Sequence, residues 1–273
     1  MRALFFLIWF TCIASIVSNL PAQETSVPPE ADAFVLRAQP NTNFGSEPFL
    51  ALKNAAFCSG SNADWDRKTY LRFSTERLNT NQASRFVLTL KGTEGEGGTS
   101  NLADDIEFSV FGLTDEDPGE FWSETNISWN VAPQNDTQSG TDLLSNTQAL
   151  GSFFLNGTGV RETIDFSSPK LDSFILQDSN NSITLIIVRE FFDPAGDGYW
   201  HAFGSRESGL MPLLRGIDGL VGDINCDGSV DLLDVAPFVE ALANGNYDRK
   251  ADANSDGNLN LIDIAPFVDL LTN

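Results

Sequence analysis

Between residues 24 and 217, apolar and polar residues alternate in short runs. The clearest lie at 86–91, 106–111, 163–166 and 182–188, with the period of two that belongs to strands with one buried face. Connectors rich in Gly, Asn, Asp and Ser separate these runs, as at 92–101 and 135–141, and no long stretch carries a helical period. Many short strands with turn-rich spacing predict a mostly β chain, an antiparallel jelly-roll β-sandwich.

The pattern changes near the C-terminus, where the chain repeats itself. The run from Asp223 to Asp234 (DINCDGSVDLLD) returns 29 residues later from Asp252 to Asp263 (DANSDGNLNLID), and each copy continues into Ala-Pro-Phe-Val. Two loop-plus-helix units predict a small α module over 221–273. Within each loop, oxygen-bearing side chains at positions one, three, five, nine and twelve converge on a hard cation, with a carbonyl at position seven and a turn-forming Gly at six. The first set is Asp223, Asn225, Asp227, Ser229 (carbonyl), Asp231 and Asp234. The second is Asp252, Asn254, Asp256, Asn258 (carbonyl), Asn260 and Asp263. All-oxygen donors in a full protein cage point to Ca²⁺, two ions in all, since Mg²⁺ keeps more of its water. Ten acidic residues against two basic ones in 221–273 predict that the module unfolds without metal. Pro237 and Pro266 each fall about a turn into the following helix, so those helices should start late or kink.

Position twelve is Asp instead of the Glu of ordinary EF-hands, and no helical segment precedes the first loop. In these departures, the duplication and the position, residues 222–273 resemble a type I dockerin. The resemblance implies a cohesin-like protein partner. Loop positions ten and eleven, which carry small polar residues in well-studied dockerins, are here Leu232, Leu233, Leu261 and Ile262. Either they form an apolar partner face or they fold inward as core. The run Leu-x-Asp-x-Ala-Pro-Phe-Val is similar to divergent, planctomycete-like dockerins.

The N-terminus fixes the expected compartment. Met1 and Arg2 precede an almost unbroken apolar run to Val17, followed by a polar stretch ending near Ala22. This reads as a secretory signal peptide over 1–22, cleaved near Ala22 or at Ser18. The run is too short for a bilayer span, so the mature chain is expected to be secreted or at the cell surface with no membrane span, with a retained N-terminal anchor as the alternative. Cys58 and Cys226 then remain, either as two thiols or as one disulfide.

The 273 residues carry 38 Asp and Glu against 16 Lys and Arg, a net charge of −22. A chain this acidic repels a phosphate backbone, which argues against a nucleic-acid partner. One histidine, His201, and three cysteines leave little material for a triad or a zinc site.

Within the β region, Ala31-Asp32-Ala33-Phe34-Val35, Asn41-Thr42-Asn43-Phe44-Gly45, the segment 67–73 (RKTYLRF), 127–133 (ISWNVAP) and Phe203-Gly204-Ser205-Arg206-Glu207 together resemble a DNRLRE-type domain. That family is grouped with carbohydrate-binding modules, some of which bind alginate. The resemblance implies a non-catalytic, polysaccharide-binding β-sandwich over 24–217, with an acidic glycan among the candidates. The residues themselves offer flat rings for sugar C–H faces and cations for acidic sugars: Trp65, Arg67, Lys68, Trp200 and Arg206. For Trp65 and Trp200, packing competes with binding. Trp129 reads as core and Trp122 stays open. Arg72 and an Arg206–Glu207 pair have a buried ion pair as their alternative, and Asp32 with Glu207 has a further structural Ca²⁺ in the β domain.

The functional expectation is a secreted, non-catalytic polysaccharide-binding protein that a Ca²⁺-dependent dockerin attaches to a cohesin-like partner in polysaccharide catabolism. The alternatives are a surface or matrix structural protein without glycan binding, and a polysaccharide-degrading enzyme. A lyase centre would draw on Tyr199 and His201. A hydrolase would need two carboxylates at a set separation, and the abundance of acids singles out no pair.

Overall fold

A computed structural model describes residues 24–55, 65–78, 80, 83–96, 105–190, 192–193, 198–225, 227–245, 248–254, 256 and 258–272. The signal-peptide reading of 1–22 and the pairing of Cys58 with Cys226 lie outside the described residues.

In chain order the strands are β1 (Glu24–Val27), β2 (Ala31–Leu36), β3 (Phe49–Leu52), β4 (Asn54–Ala55), β5 (Arg67–Ser74), β6 (Ala83–Thr93) and β7 (Ile106–Leu113). They continue as β8 (Thr147–Leu155), β9 (Thr163–Phe166), β10 (Ser182–Arg189), β11 (Phe192–Asp193), β12 (His201–Gly204) and β13 (Leu213–Asp218). One sheet runs β1-β13-β6-β12-β3, with β9 also on β6; the other runs β2-β5-β10-β7-β8. Every pairing in these two sheets is antiparallel. The jelly-roll sandwich expected from the alternating runs is present, and all four of those runs lie in strands.

The main core fills the space between the sheets with Phe73, Phe86, Leu88, Phe108, Leu185, Ile187 and Phe203. Strand β7 alternates buried and half-buried positions as one-face burial requires. At Val110/Phe111 its register with β8 shifts. Gly151, opposite Val110, takes φ +142° there, a conformation that glycine adopts at little cost.

Strand β10 reads Ser-Ile-Thr-Leu-Ile-Ile-Val-Arg and is buried at every position. It sits centrally, between β5 and β7, so both of its faces need cover. Residues 114–146 supply the outer cover: Trp122, Ile127, Trp129 and Ala132 pack with Ala31, Ala33, Val35, Tyr70 and Ile186. Trp129 is core as expected, and Trp122 joins it. Lys68 points into this layer and is fully buried. Its Nζ donates to Asn135 Oδ1 at 2.8 Å, the Asp142 carbonyl at 2.7 Å and the Asp136 carbonyl at 3.3 Å. It also lies 5.1 Å from the centre of the Trp129 ring. Burial pushes the Lys68 ammonium down to about 8.

Helix α1 (Pro169–Gln177) was not foreseen. Its signal is local: the Ser168 hydroxyl accepts from the Leu171 N–H, Pro169 starts the first turn, and Leu171, Phe174 and Ile175 are buried. In the C-terminal module, one-turn 3₁₀ segments at Leu232–Asp234 and Leu261–Asp263 lead into α2 (Val235–Asn244) and α3 (Ile264–Leu270). The α-helices therefore begin late, with Pro237 and Pro266 in their first turns, where a missing N–H costs nothing. Among the described residues no helix is long and apolar enough to cross a membrane.

The outer cover should be energetically essential. Trp129→Ala is expected to cost about 3–5 kcal/mol. Lys68→Met, which strands three acceptors, should cost about 2–4 kcal/mol. Urea unfolding followed by far-UV circular dichroism measures both; losses within about 0.5 kcal/mol of zero would show the cover to be dispensable.

Candidate functional site

Each C-terminal loop winds around buried carboxylates. Asp234 is fully buried; its Oδ1 accepts from the Ile224 and Asn225 N–H groups at 2.7 and 2.9 Å, and its Oδ2 from the Asp231 N–H at 2.9 Å. Asp263 repeats this with Asn254 at 3.2 Å and Asn260 at 2.9 Å. Asp223 accepts from the Asp227 and Gly228 N–H groups, and Asp252 from the Asp256 N–H. Hydrogen bonds from the Asn254 side chain and then the Asn258 N–H hold the exposed Asp256 carboxyl below its usual range.

The donor set fits calcium: every predicted ligand offers oxygen, and the four acids at positions one and twelve are buried. Asp223, Asn225, Asp227, Ser229, Asp231 and Asp234, with their counterparts in the second loop, are the residues that would hold it. The module's own core is small, Phe238, Ala251 and Phe267, with the two rings stacked at 4.1 Å. A core this size needs a metal to hold the helices. Leu232, Leu233, Leu261 and Ile262 do not fold inward; they are 79, 66, 74 and 66% exposed.

In the sandwich, β5 places Arg67 and Lys68 on opposite faces. Lys68 goes into the outer cover and has no surface to offer a ligand. The Arg67 guanidinium lies between two rings, 5.5 Å from Trp65 and 5.2 Å from Trp200. Burial lowers it to about 10. Trp200 is half-buried and leans on Phe49 at 5.1 Å, whereas Trp65 is 42% exposed. The three form a stack that begins in a small cluster around Phe34, Leu36 and Ala51 and ends at solvent.

Arg206 lies apart from this stack in the interactions it makes. Its Nη1 meets Glu124 Oε2 at 2.8 Å and the Glu30 carbonyl, and its backbone N–H donates to Asp32 Oδ2 at 2.9 Å. The ion pair expected with Glu207 is made with Glu124 instead. Glu124 was missed by sequence reading. Gly45 makes room for it, since a Cβ at Gly45 would stand 2.3 Å from the Glu124 carbonyl oxygen. Arg72 packs over Trp122 and donates to its carbonyl, a structural role.

Tyr199 and His201 are both buried. The Tyr199 hydroxyl accepts from the Gly95 N–H at 2.9 Å. Arg189 Nη1 lies 3.1 Å from His201 Nδ1, and His201 Nε2 lies 2.8 Å from the Gly157 carbonyl. With Arg189 donating, Nδ1 accepts and Nε2 carries the proton. Both ring nitrogens of His201 are engaged, so the histidine has the form of a core network. Burial, followed by the Arg189 charge, pulls His201 down to about 4.

The sign of the His201 effect follows from its depressed value. Below pH ~6.5 the unfolded chain takes up a proton that the folded chain refuses until about 4, so stability is lost across that window. Between pH 7 and 4.5 the native protein should lose about 2–3 kcal/mol more than His201→Gln. Asp32 and Glu120, raised by burial to about 7, act oppositely but equally in both proteins. Urea titrations at the two pH values test this; parallel losses would contradict it. Separately, chelation with EDTA should abolish the α2 and α3 ellipticity at 222 nm, and added Ca²⁺ should restore it. Full retention in EDTA would show that the loops fold without metal.

Residues 23–153 match the family model described as carbohydrate-binding module family 96, and residues 221–267 match the type I dockerin domain. The first match ends within β8, while β9, β10, β12 and β13 go on to complete the two sheets. No curated protein matches the chain. Among solved structures, recombinantly expressed latent aurone synthase (polyphenol oxidase) is 13% identical with a TM-score of 0.30, covering 56% of this chain and 25% of that one. The same enzyme from natural source is 14% identical at 0.29, covering 66% and 30%. The Merkel cell polyomavirus virus-like particle is 9% identical at 0.23, covering 80% and 79%. The present chain thus spans less than a third of the length of those two aurone synthase chains. By the family matches, residues 23–153 are similar to carbohydrate-binding module family 96 and residues 221–267 to the type I dockerin domain.

Proposed function

We propose that the protein is a secreted, non-catalytic polysaccharide-binding protein. Residues 24–217 act as one glycan-binding unit, and residues 221–273 bind two Ca²⁺ ions and attach the unit to a cohesin-like partner. The two family matches support this division of labour.

The single observation that carries the glycan site is the stack of Trp65, Arg67 and Trp200. Trp65 presents a large ring to solvent on a base stiffened by the guanidinium beneath it. A flat, rigid aromatic face suits the C–H surface of a pyranose. Of the three cations that an acidic glycan would use, Lys68 is buried and Arg206 pairs with Glu124, which favours stacking over charge pairing. The exposed quartet Leu232, Leu233, Leu261 and Ile262 supports an apolar docking face, and the late helix starts present both pairs in the same local geometry.

Affinity electrophoresis of the full chain against alginate, pectin, xylan, cellulose and a sulfated glycan tests the reading. Retardation by at least one glycan is expected, weakened about tenfold or more by Trp65→Ala with the circular dichroism spectrum unchanged. Free migration in all five would favour a structural surface protein. Release of reducing or unsaturated ends would overturn the non-catalytic reading.

A further inference from the structure

Three acidic side chains from distant parts of the sandwich meet at one point. Asp32 is in β2, Glu124 is in the outer cover, and Glu207 is in the turn after β12. One carboxylate oxygen from each lies within 4.8 Å of the others. Like charges brought this close repel, and the fold does not separate them. It holds two of them in place: the Asp32 N–H donates to Glu124 Oε2 at 2.9 Å, and the Arg206 N–H donates to Asp32 Oδ2 at 2.9 Å.

An independent observation concerns Asp32 alone. It is fully buried, and its Oδ1 has no hydrogen-bond partner among the described residues. A buried carboxylate oxygen left without a partner carries a large desolvation penalty. With Oδ2 taken by Arg206, Oδ1 is the oxygen that still lacks a positive partner. Arg206 offsets one of the three charges through Glu124, which leaves two, the charge of one divalent cation.

We propose that Asp32, Glu124 and Glu207 form a divalent-cation site in the β-sandwich, separate from the two C-terminal loops, and that its ion is Ca²⁺. The donors are all carboxylate oxygen, with no nitrogen or sulfur to select zinc or copper. Asp32 is buried, Glu124 half-buried and Glu207 exposed, so the site is closed below and open above, giving the ion a path in from solvent. Bound there, the ion ties the outer cover to β2 and to the β12 turn, and it stabilises the sandwich itself.

The test counts ions on the full chain. At about 1 mM Ca²⁺, the weak end of extracellular calcium modules, equilibrium dialysis should give one ion fewer per chain for Glu207→Gln than for the native protein. A third site weakened about tenfold would count equally. Asp234→Ala combined with Asp263→Ala removes the C-terminal ions. In that background, Ca²⁺ should still raise the melting temperature of the sandwich, and the rise should vanish when Glu207→Gln is added. Equal ion counts for the native chain and Glu207→Gln, with no calcium-dependent melting shift in the loop-disabled background, would overturn the proposal. Asp32→Asn provides a second reading of the same site. Should it fail to fold, Glu207→Gln at the exposed rim decides alone. Failure of the C-terminal sites would show as no loss of ions in the Asp234/Asp263 variant, which leaves the Glu207 comparison intact.

Discussion

Strands β5 and β10 are buried on both faces, so the five-stranded sheet has to be covered a second time, on the side away from the other sheet. Residues 114–146 do this with Trp122, Ile127 and Trp129, and much else depends on that docking. Lys68 is drawn inward because the cover offers it three oxygens and a ring. Glu124 reaches Asp32 and Arg206 because it lies on the same segment. Gly45 stays a glycine because the Glu124 backbone passes against it. A hydrophobic requirement thus sets the positions of the charged groups.

Electrostatics are handled differently in the two halves of the molecule. In the sandwich, buried and half-buried cations find carbonyl oxygens and aromatic faces: Lys68 with Trp129, Arg67 with Trp65 and Trp200, Arg72 with Trp122. These contacts hold a charge out of water without requiring an acid for each base. In the C-terminal module the imbalance runs the other way. Buried aspartates gather backbone N–H groups, and the hydrophobic core is little more than Phe238 against Phe267. A metal bound there would take the place of the core that a module of this size lacks.

The loops with the cation-type oxygen spacing also set the exposed apolar pairs. Asp231 and Asn260 accept from the N–H two residues on, and Asp234 and Asp263 accept in return, in a reciprocal cap. That cap turns Leu232-Leu233 and Leu261-Ile262 outward in the same way in both copies. Cation binding and the apolar face therefore share one local geometry, and disturbing the first should disturb the second.

The two loops were legible in the sequence because each set of oxygen-bearing residues lies within one twelve-residue segment, where spacing alone fixes which side chains converge. The strands at 86–91, 106–111, 163–166 and 182–188 were legible for a similar reason, since alternation is a local property. Helix α1 escaped notice because its single buried stripe is too short to show a period, although Ser168 and Pro169 announced its start. What the sequence could not decide was which side of a strand meets water. Arg67 and Lys68 are neighbours of the same charge and both end up buried, but strand alternation puts them on opposite faces, and only the docked cover sends Lys68 into carbonyl oxygens and Trp129 while Arg67 packs with Trp65 and Trp200. Nor could it bring Glu124 to Asp32, 92 residues away, or to Arg206, 82 residues away. Those meetings depend on how the cover packs across the sheet, a tertiary choice made by the bulk of Trp122 and Trp129 and not by the acids themselves.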